Sequence, residues 1–252
     1  MEAEAHEETL LSWYATAGRD LPWRRTRDPY AILVSEVMLQ QTQVARVIER
    51  WERWLRRWPT AAALAAATPA EVLGEWSGLG YNRRALRLRD ACAVVAAEGW
   101  PEDLRTLPGV GAYTAAALRA FAFDEPVVPI DVNVARVFAR VGGPMAGPPE
   151  IGHALMDLGA TICTARRPRC DACPLQACGS KGIVIAEAPR TQGKRERFQD
   201  SDRYVRGRIV AALVENRPLP ELARERLDRA LAALERDGLV VRGADGAPRL
   251  PE

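Results

Sequence analysis

The chain has 252 residues, 48% of them apolar, and its 35 basic and 33 acidic side chains leave a net charge of +2. This composition suits one large or two modest globular domains and excludes a disordered polymer, while the total charge argues only weakly for a polyanionic partner. The acidic start, MEAEAHEETLLSWY, lacks the basic region of a secretory leader, and apolar runs such as 110–118 are too short to cross a bilayer, so a cytoplasmic protein without membrane contact is expected.

In chain order, residues 1–180 read as helices. Residues 28–58 carry Ile32, Val34, Val37, Met38, Val44, Ile48, Trp51, Trp54 and Leu55 at helical spacing. TPAEVLGEW opens with Thr68 as N-cap, Pro69 at the first helical position and Glu71 at the third, which predicts a capping box. RRALRLRDACAVVAAEG predicts a helix stopped by Gly99. A short helix then meets Pro108-Gly109-Val110-Gly111, and a helix of small residues follows. After the extended PVVPI, Asp131 precedes VNVARVFARVG, and PEIGHALMDLGATIC leads into a cysteine cluster. Residues 181–202 read as a polar linker. Residues 203–252 predict a helix, one or two further helices, and a hairpin turning at Asp245-Gly246, the outline of a small winged-helix module.

Several segments carry chemistry. LPGVG between two helices lets the backbone approach a ligand, and the next helix opens with unpaired N–H groups and the positive end of its dipole, so the segment is either an ordinary tight turn or a phosphate site. Glu36 lies on an otherwise apolar and amide face, VSEVMLQQT; it is either a salt-bridged surface carboxylate or a group whose pKa burial raises. Asp131 is placed to cap a helix, which leaves its second oxygen for another partner. Cys163, Cys170, Cys173 and Cys178, spaced C-x6-C-x2-C-x4-C, can close a zinc site or a cubane iron–sulfur cluster in a reducing compartment. Cys92, on an apolar helix face, reads as core. YNRRALRLR, RRPR and RTQGKRERF are locally basic and lie beside loops.

LPGVGAYTAAALRAFAF…VPIDVNVARVFARV resembles the helix–hairpin–helix DNA glycosylases, the superfamily of endonuclease III, and LPWRRTRDPYAILVSEVMLQQTQV resembles its adenine glycosylase (MutY) branch; the likeness covers roughly residues 8–180. The resemblance implies an all-α, two-lobed fold with a small C-terminal winged-helix-like α/β module. Residues 1–27 and 132–180 would form an iron–sulfur lobe, 28–131 a six-helix barrel lobe bearing the hairpin, 181–202 a linker and 203–252 the added module. It implies that Glu36 protonates the departing base, that Asp131 stabilises the sugar cation with Asn133 beside it, and that the four cysteines hold a [4Fe–4S] cluster. Arg24 would lie near the flipped base. Gln41, Thr42, Leu79 and Tyr81 would contact the opposite strand, and Pro108, Gly109, Val110 and Gly111 would bind the DNA backbone. Arg166, Arg167 and Arg169 would touch phosphates from the cysteine loop.

Endonuclease III-type enzymes use a lysine just after the hairpin for strand cleavage; here that position is Tyr113, and the chain's only lysines are Lys181 and Lys194. A monofunctional glycosylase acting as a monomer on adenine mispaired with 8-oxoguanine or guanine in double-stranded DNA is therefore expected. Four features depart from the family pattern. The last cysteine spacing is four residues rather than five, His153 stands where Gln or Glu is usual at the base pocket, Asn82 replaces a frequent second tyrosine, and about 50 C-terminal residues stand in place of a Nudix-like domain. The alternatives are a paralogue removing hypoxanthine or a mismatched T or U, and a non-catalytic iron–sulfur DNA-binding regulator.

Overall fold

The computed structural model describes residues 2–175, 178–181 and 197–251. The chain divides into two units, residues 1–36 with 110–191 and residues 37–109 with 192–252. One division falls inside a helix, directly after Glu36, and the other inside the glycine hairpin.

The first unit contains α1 (Glu2–Ala17), a 3-10 turn (Pro22–Arg25) and the start of α2 (Pro29–Leu39). In the second unit, after the end of α2, follow α3 (Val44–Arg57), α4 (Ala61–Ala65), α5 (Pro69–Trp76) and α6 (Arg83–Glu98). The chain returns to the first unit with α7 (Ala112–Phe121), α8 (Val132–Val141) and α9 (Pro149–Thr161). The second unit closes with α10 (Asp202–Val214), α11 (Arg224–Arg236) and an antiparallel pair, β1 (Val241–Arg242) and β2 (Pro248–Arg249). The all-helical reading thus holds, and the hairpin turns where Asp245-Gly246 predicts, with Gly246 at φ 75°. Most of the expected linker, residues 182–196, lies outside the described residues.

In the first unit α9 is the central helix, packed by α1, α7 and α8. Leu10, Val134, Val137, Ile151, Leu155 and Leu158 form its core. Gly159 is required there, because a Cβ on it would come within 2.7 Å of the Asn133 Cβ and 3.1 Å of the Asn133 carbonyl. In the second unit the Trp54 ring meets Trp58 and Trp76 edge-on at 4.7 and 5.5 Å. Residues 203–252 do not stand apart: Val205, Ile209, Val210, Leu231 and Leu234 share one core with Leu73 of α5.

Local signals account for several boundaries. The Thr68 hydroxyl accepts from the Glu71 N–H while the Glu71 carboxylate accepts from the Thr68 N–H, the predicted capping box. Gly99 ends α6 at φ 82°. The apolar run over 28–58 is not one helix, however. It breaks at Gln40–Gln43, where Gln41 takes φ 55°, so Gln41 and Thr42 lie in a turn rather than on a helix face. The cause is distant in sequence. Arg84 donates to the carbonyls of Val37 (2.7 Å), Met38 (3.4 Å) and Gln40 (2.5 Å), satisfying the end of α2 from outside.

Replacing Thr68 with Ala removes one side of the capping box and should destabilise the protein by about 1 kcal/mol, read as a lower urea midpoint at unchanged slope.

Candidate active site and iron–sulfur centre

Four elements of the first unit bring charged and phenolic side chains together. Glu36 comes from α2, Tyr113 from the first turn of α7, Asp131 from the N-cap of α8 and Arg24 from the 3-10 turn. Glu36 is 7% exposed, on a helix whose Leu33, Val34 and Val37 are buried too. Burial raises its pKa to about 7; a hydrogen bond from Tyr113 pulls it down, the nearby Asp131 carboxylate pushes it up and Arg24 pulls it down. Burial likewise pushes the Tyr113 phenol upward, and Glu36 and Asp131 add to that. Tyr113 therefore stays a neutral donor, and Glu36 sits between its protonated and ionised forms near neutral pH.

Asp131 is held firmly. Its Oδ1 accepts from the N–H groups of Asn133 (2.8 Å) and Val134 (2.7 Å), and its Oδ2 accepts from the Asn133 side-chain amide at 2.9 Å. The cap predicted from sequence is present, and Asn133 orients the second oxygen. Asn133 is fixed in turn by Arg136, which donates to its Oδ1 and to the Gly159 carbonyl, both at 2.7 Å, and to the Cys163 carbonyl at 2.9 Å.

Arg24 is anchored by a residue that sequence reading missed. Asp157, fully buried on α9, accepts from Arg24 Nη1 (2.8 Å) and Nη2 (2.7 Å) and from the backbone N–H and Nε of Arg19, both at 2.7 Å. Burial opposes the charge on Asp157, but Arg24 and Arg19 outweigh it and hold the carboxyl below its usual value. The available signal was spacing: Asp157 follows His153 by four residues and so shares its helix face. His153 lies flat on Phe121, ring centres 3.9 Å apart, and faces Tyr14 at 6.3 Å. Burial and then Arg24 push its pKa down to about 3, so it is a neutral stacking group.

The opposite-strand candidates belong to the second unit and meet at Arg84. Besides the end of α2, Arg84 donates to the Thr42 hydroxyl (3.4 Å) and to the carbonyls of Leu79 (3.4 Å) and Gly80 (3.0 Å). The Gly78-Leu79-Gly80-Tyr81 loop has positive φ at Gly78 (86°), Gly80 (73°) and Tyr81 (50°). It buries Leu79 at 3% exposure and presents Tyr81 at 41%, so Tyr81 alone of the two candidate wedges is at the surface. In the hairpin, Gly109 sits at φ 80° with Arg87 Cβ 3.0 Å from where its own Cβ would be, and Gly111 caps α7 with no side chain. Pro108 precedes this turn and Val110 is buried within it.

Cys163, Cys170, Cys173 and Cys178 line one cavity with Arg140, Leu158, Ile162 and Leu175. Four thiols around one cavity supply the full ligand set of a cubane, which sets its thiolates around several irons. Arg140 Nη1 lies 3.3 Å from Cys163 Sγ and donates to the Thr164 carbonyl at 2.8 Å, placing a positive charge beside the thiols. The residues therefore fit a [4Fe–4S] cluster. Arg166, Arg167 and Arg169 are exposed on the same loop.

Comparison with known proteins agrees with this arrangement. A model of the HhH-GPD superfamily of base excision DNA repair proteins matches residues 34–159, and one of the iron–sulfur binding domain of endonuclease III matches 163–177. The adenine DNA glycosylase of Mycolicibacterium smegmatis is 45% identical, the match spanning 94% of this chain and 93% of the relative. That of Mycobacterium tuberculosis is 41% identical over 97% and 93%. A thermostable thymine-DNA glycosylase of known structure superposes with a TM-score of 0.66 at 27% identity, covering 72% of this chain and 97% of that one. The chain belongs to the HhH-GPD superfamily and, within it, to the adenine DNA glycosylase branch.

Asp157→Asn strands the charge of Arg24 in a site where its side chain is 8% exposed. It should cost about 3 kcal/mol or more in chemical denaturation, whereas Asp20→Asn, at an exposed pair with Arg25, should leave the denaturation midpoint nearly unchanged.

Proposed function

We propose that the protein is a monofunctional DNA glycosylase that hydrolyses the bond between deoxyribose and an adenine mispaired with 8-oxoguanine or guanine. The observation that carries the reading is the dry carboxyl of Glu36, with a pKa near 7, beside the Tyr113 phenol and the Asp131 carboxylate. Departure of a purine needs a proton on the base and negative charge opposite the cation that develops on the sugar. Glu36 gives its proton to the base, with Tyr113 donating to the carboxylate left behind. Asp131, its oxygens fixed by Asn133 and the α8 amides, faces the sugar cation. Water completes the exchange, releasing free adenine and an abasic site. Two carboxyl groups with separated roles are the usual solution for cutting a glycosidic bond.

The target base must leave the helix, which costs a few kcal/mol. In this reading Arg24 and His153 border the extruded base. Gln41, Thr42, Leu79 and Tyr81 act on the opposite strand, and the Pro108–Gly111 hairpin and the arginines at 166, 167 and 169 grip phosphates. The four cysteines would hold a [4Fe–4S] cluster, which would tie the two ends of their loop together and so hold its arginines in place. The enzyme works as a monomer on double-stranded DNA in the cytoplasm. Among the described residues, no helix is long and apolar enough to cross a membrane.

Duplexes carrying A opposite 8-oxoguanine, A opposite G, hypoxanthine, U, or T opposite G, treated with alkali after incubation, test the substrate. Cleavage confined to the adenine duplexes is expected, and cleavage of none favours a non-catalytic regulator. Glu36→Gln should abolish excision while leaving duplex affinity within about twofold. Wild-type single-turnover rate should fall as pH rises through about 7, because only protonated Glu36 can act. The same shift sets a stability effect. Native Glu36 holds a proton that the unfolded chain loses above about 4.5, so folding weakens between there and about 7, and Glu36→Gln should stabilise the protein at pH 8 by about 1–3 kcal/mol in urea. With Tyr113 in the lysine position, borohydride should trap no covalent enzyme–DNA adduct.

A further inference from the structure

The second unit holds a cleft of about 680 Å³ that the function proposed above touches only at Leu79 and Tyr81. Its walls are the Ser77–Asn82 loop and Arg46 on one side and α10, with the turn before it, on the other. The shared core of Leu73 with Val205 and Ile209 fixes the two walls to each other. The volume falls within the range of small-ligand sites.

The lining has a definite chemistry. Tyr81, Phe198 and Tyr204 contribute rings, with Tyr81 41% and Phe198 59% exposed. Arg203 bridges two of them: its guanidinium lies 4.1 Å from the Tyr81 ring centre and 5.7 Å from that of Phe198, and it donates to the Tyr81 hydroxyl at 2.9 Å. Both carboxylates at the cleft are already engaged, Asp237 with Arg206 and Arg83, and Asp202 with Arg229. Arg46, Arg203 and Arg208 have no carboxylate partner among the described residues, so the cleft carries surplus positive charge beside open ring faces. Gly80 and Gly207 also line it, and a Cβ on Gly207 would meet nothing within 4 Å, leaving bare backbone for a flat group to approach. Tyr81 is held at φ 50°, a left-handed conformation that a bulky residue adopts at a cost, which fixes its ring at the rim.

We propose that this cleft takes one unstacked nucleotide of the DNA substrate, its base lying against the Tyr81 and Phe198 rings and its phosphate on Arg46, Arg203 and Arg208. Rings interleaved with guanidinium groups that no carboxylate neutralises are the chemistry of single-strand nucleotide binding; an aliphatic ligand would leave the charges bare, and an acidic peptide would leave the ring faces unused. The inference rests on the reading of the chain as a DNA-processing enzyme and adds residues 198–208 to its substrate contacts.

Fluorescence anisotropy with two labelled duplexes, one fully paired and one carrying a single bulged thymidine, tests it. Wild type should bind the bulged duplex about tenfold more tightly. Arg203→Ala and Phe198→Leu should each reduce that preference to about twofold, and Phe198→Trp should retain it. Arg224→Ala removes the same charge from an exposed position of α11, 95% exposed, and should leave the preference intact. A preference absent in wild type, or equal in wild type, Arg203→Ala and Phe198→Leu, overturns the proposal. Excision of adenine, measured separately on the same wild-type preparation, reports on the function reading, so either idea can fail alone.

Discussion

The site depends on keeping one carboxyl group dry. Glu36 can carry a proton near neutral pH because it is buried and because Tyr113, which donates a hydrogen bond to it, is itself too buried to ionise. An open site would return it to the ordinary carboxylate range, where it would be an anion with nothing to donate. The remaining charges are arranged around that constraint. Arg24, which could otherwise draw Glu36 into an ion pair, is occupied by Asp157 through two short hydrogen bonds. Asp131 is near enough to raise Glu36 rather than share its proton through a direct bond, and its own oxygens are tied to α8.

Rigidity reaches that pair from the cysteine loop. Arg136 spans from the Asn133 amide to the Cys163 carbonyl, and Arg140 spans from the Cys163 sulfur to the carbonyls of Thr164 and Ala165. Each guanidinium offers several donors in one plane, so two side chains can bind the backbone of a loop that has no regular secondary structure. The oxygen of Asp131 that would face substrate is therefore positioned, through Asn133 and Arg136, by the first cysteine of the cluster motif. The close approach of α8 and α9 that permits this needs the bare α-carbon of Gly159.

Much of this was legible in the sequence because it is written locally. The Thr68-Glu71 box, the Gly99 stop, the Asp131 cap and the Gly246 turn each declare themselves within four residues, and the structure bears them out. The Glu36 environment was legible in part, since apolar and amide neighbours on one face forecast a raised pKa. What stayed hidden depends on partners remote in the chain. The break at Gln40–Gln43 rests on Arg84, more than forty residues on, and periodicity alone runs straight through it. Arg84 itself looks like one member of a basic run, yet it is half-buried, lowered to about 10 mainly by burial, and stacked near Trp76 and Tyr81. Asp157 reads as a surface carboxylate until the two arginines from residues 19 and 24 fold onto it. The burial of Leu79 accompanies positive φ at Gly78, Gly80 and Tyr81, a loop geometry that its own side chain does not announce.

The scarcity of lysine, with a phenol at the position after the hairpin, bears on what happens once the bond is cut. An abasic sugar opens to an aldehyde, and primary amines condense with aldehydes, whereas guanidinium groups, protonated at all physiological pH values, do not. With only Lys181 and Lys194 in the chain, a DNA-facing surface built on arginine, as proposed above, would leave the abasic product chemically inert against it. In that reading the strand, still continuous, leaves carrying a bare abasic sugar instead of being captured as a protein–DNA cross-link.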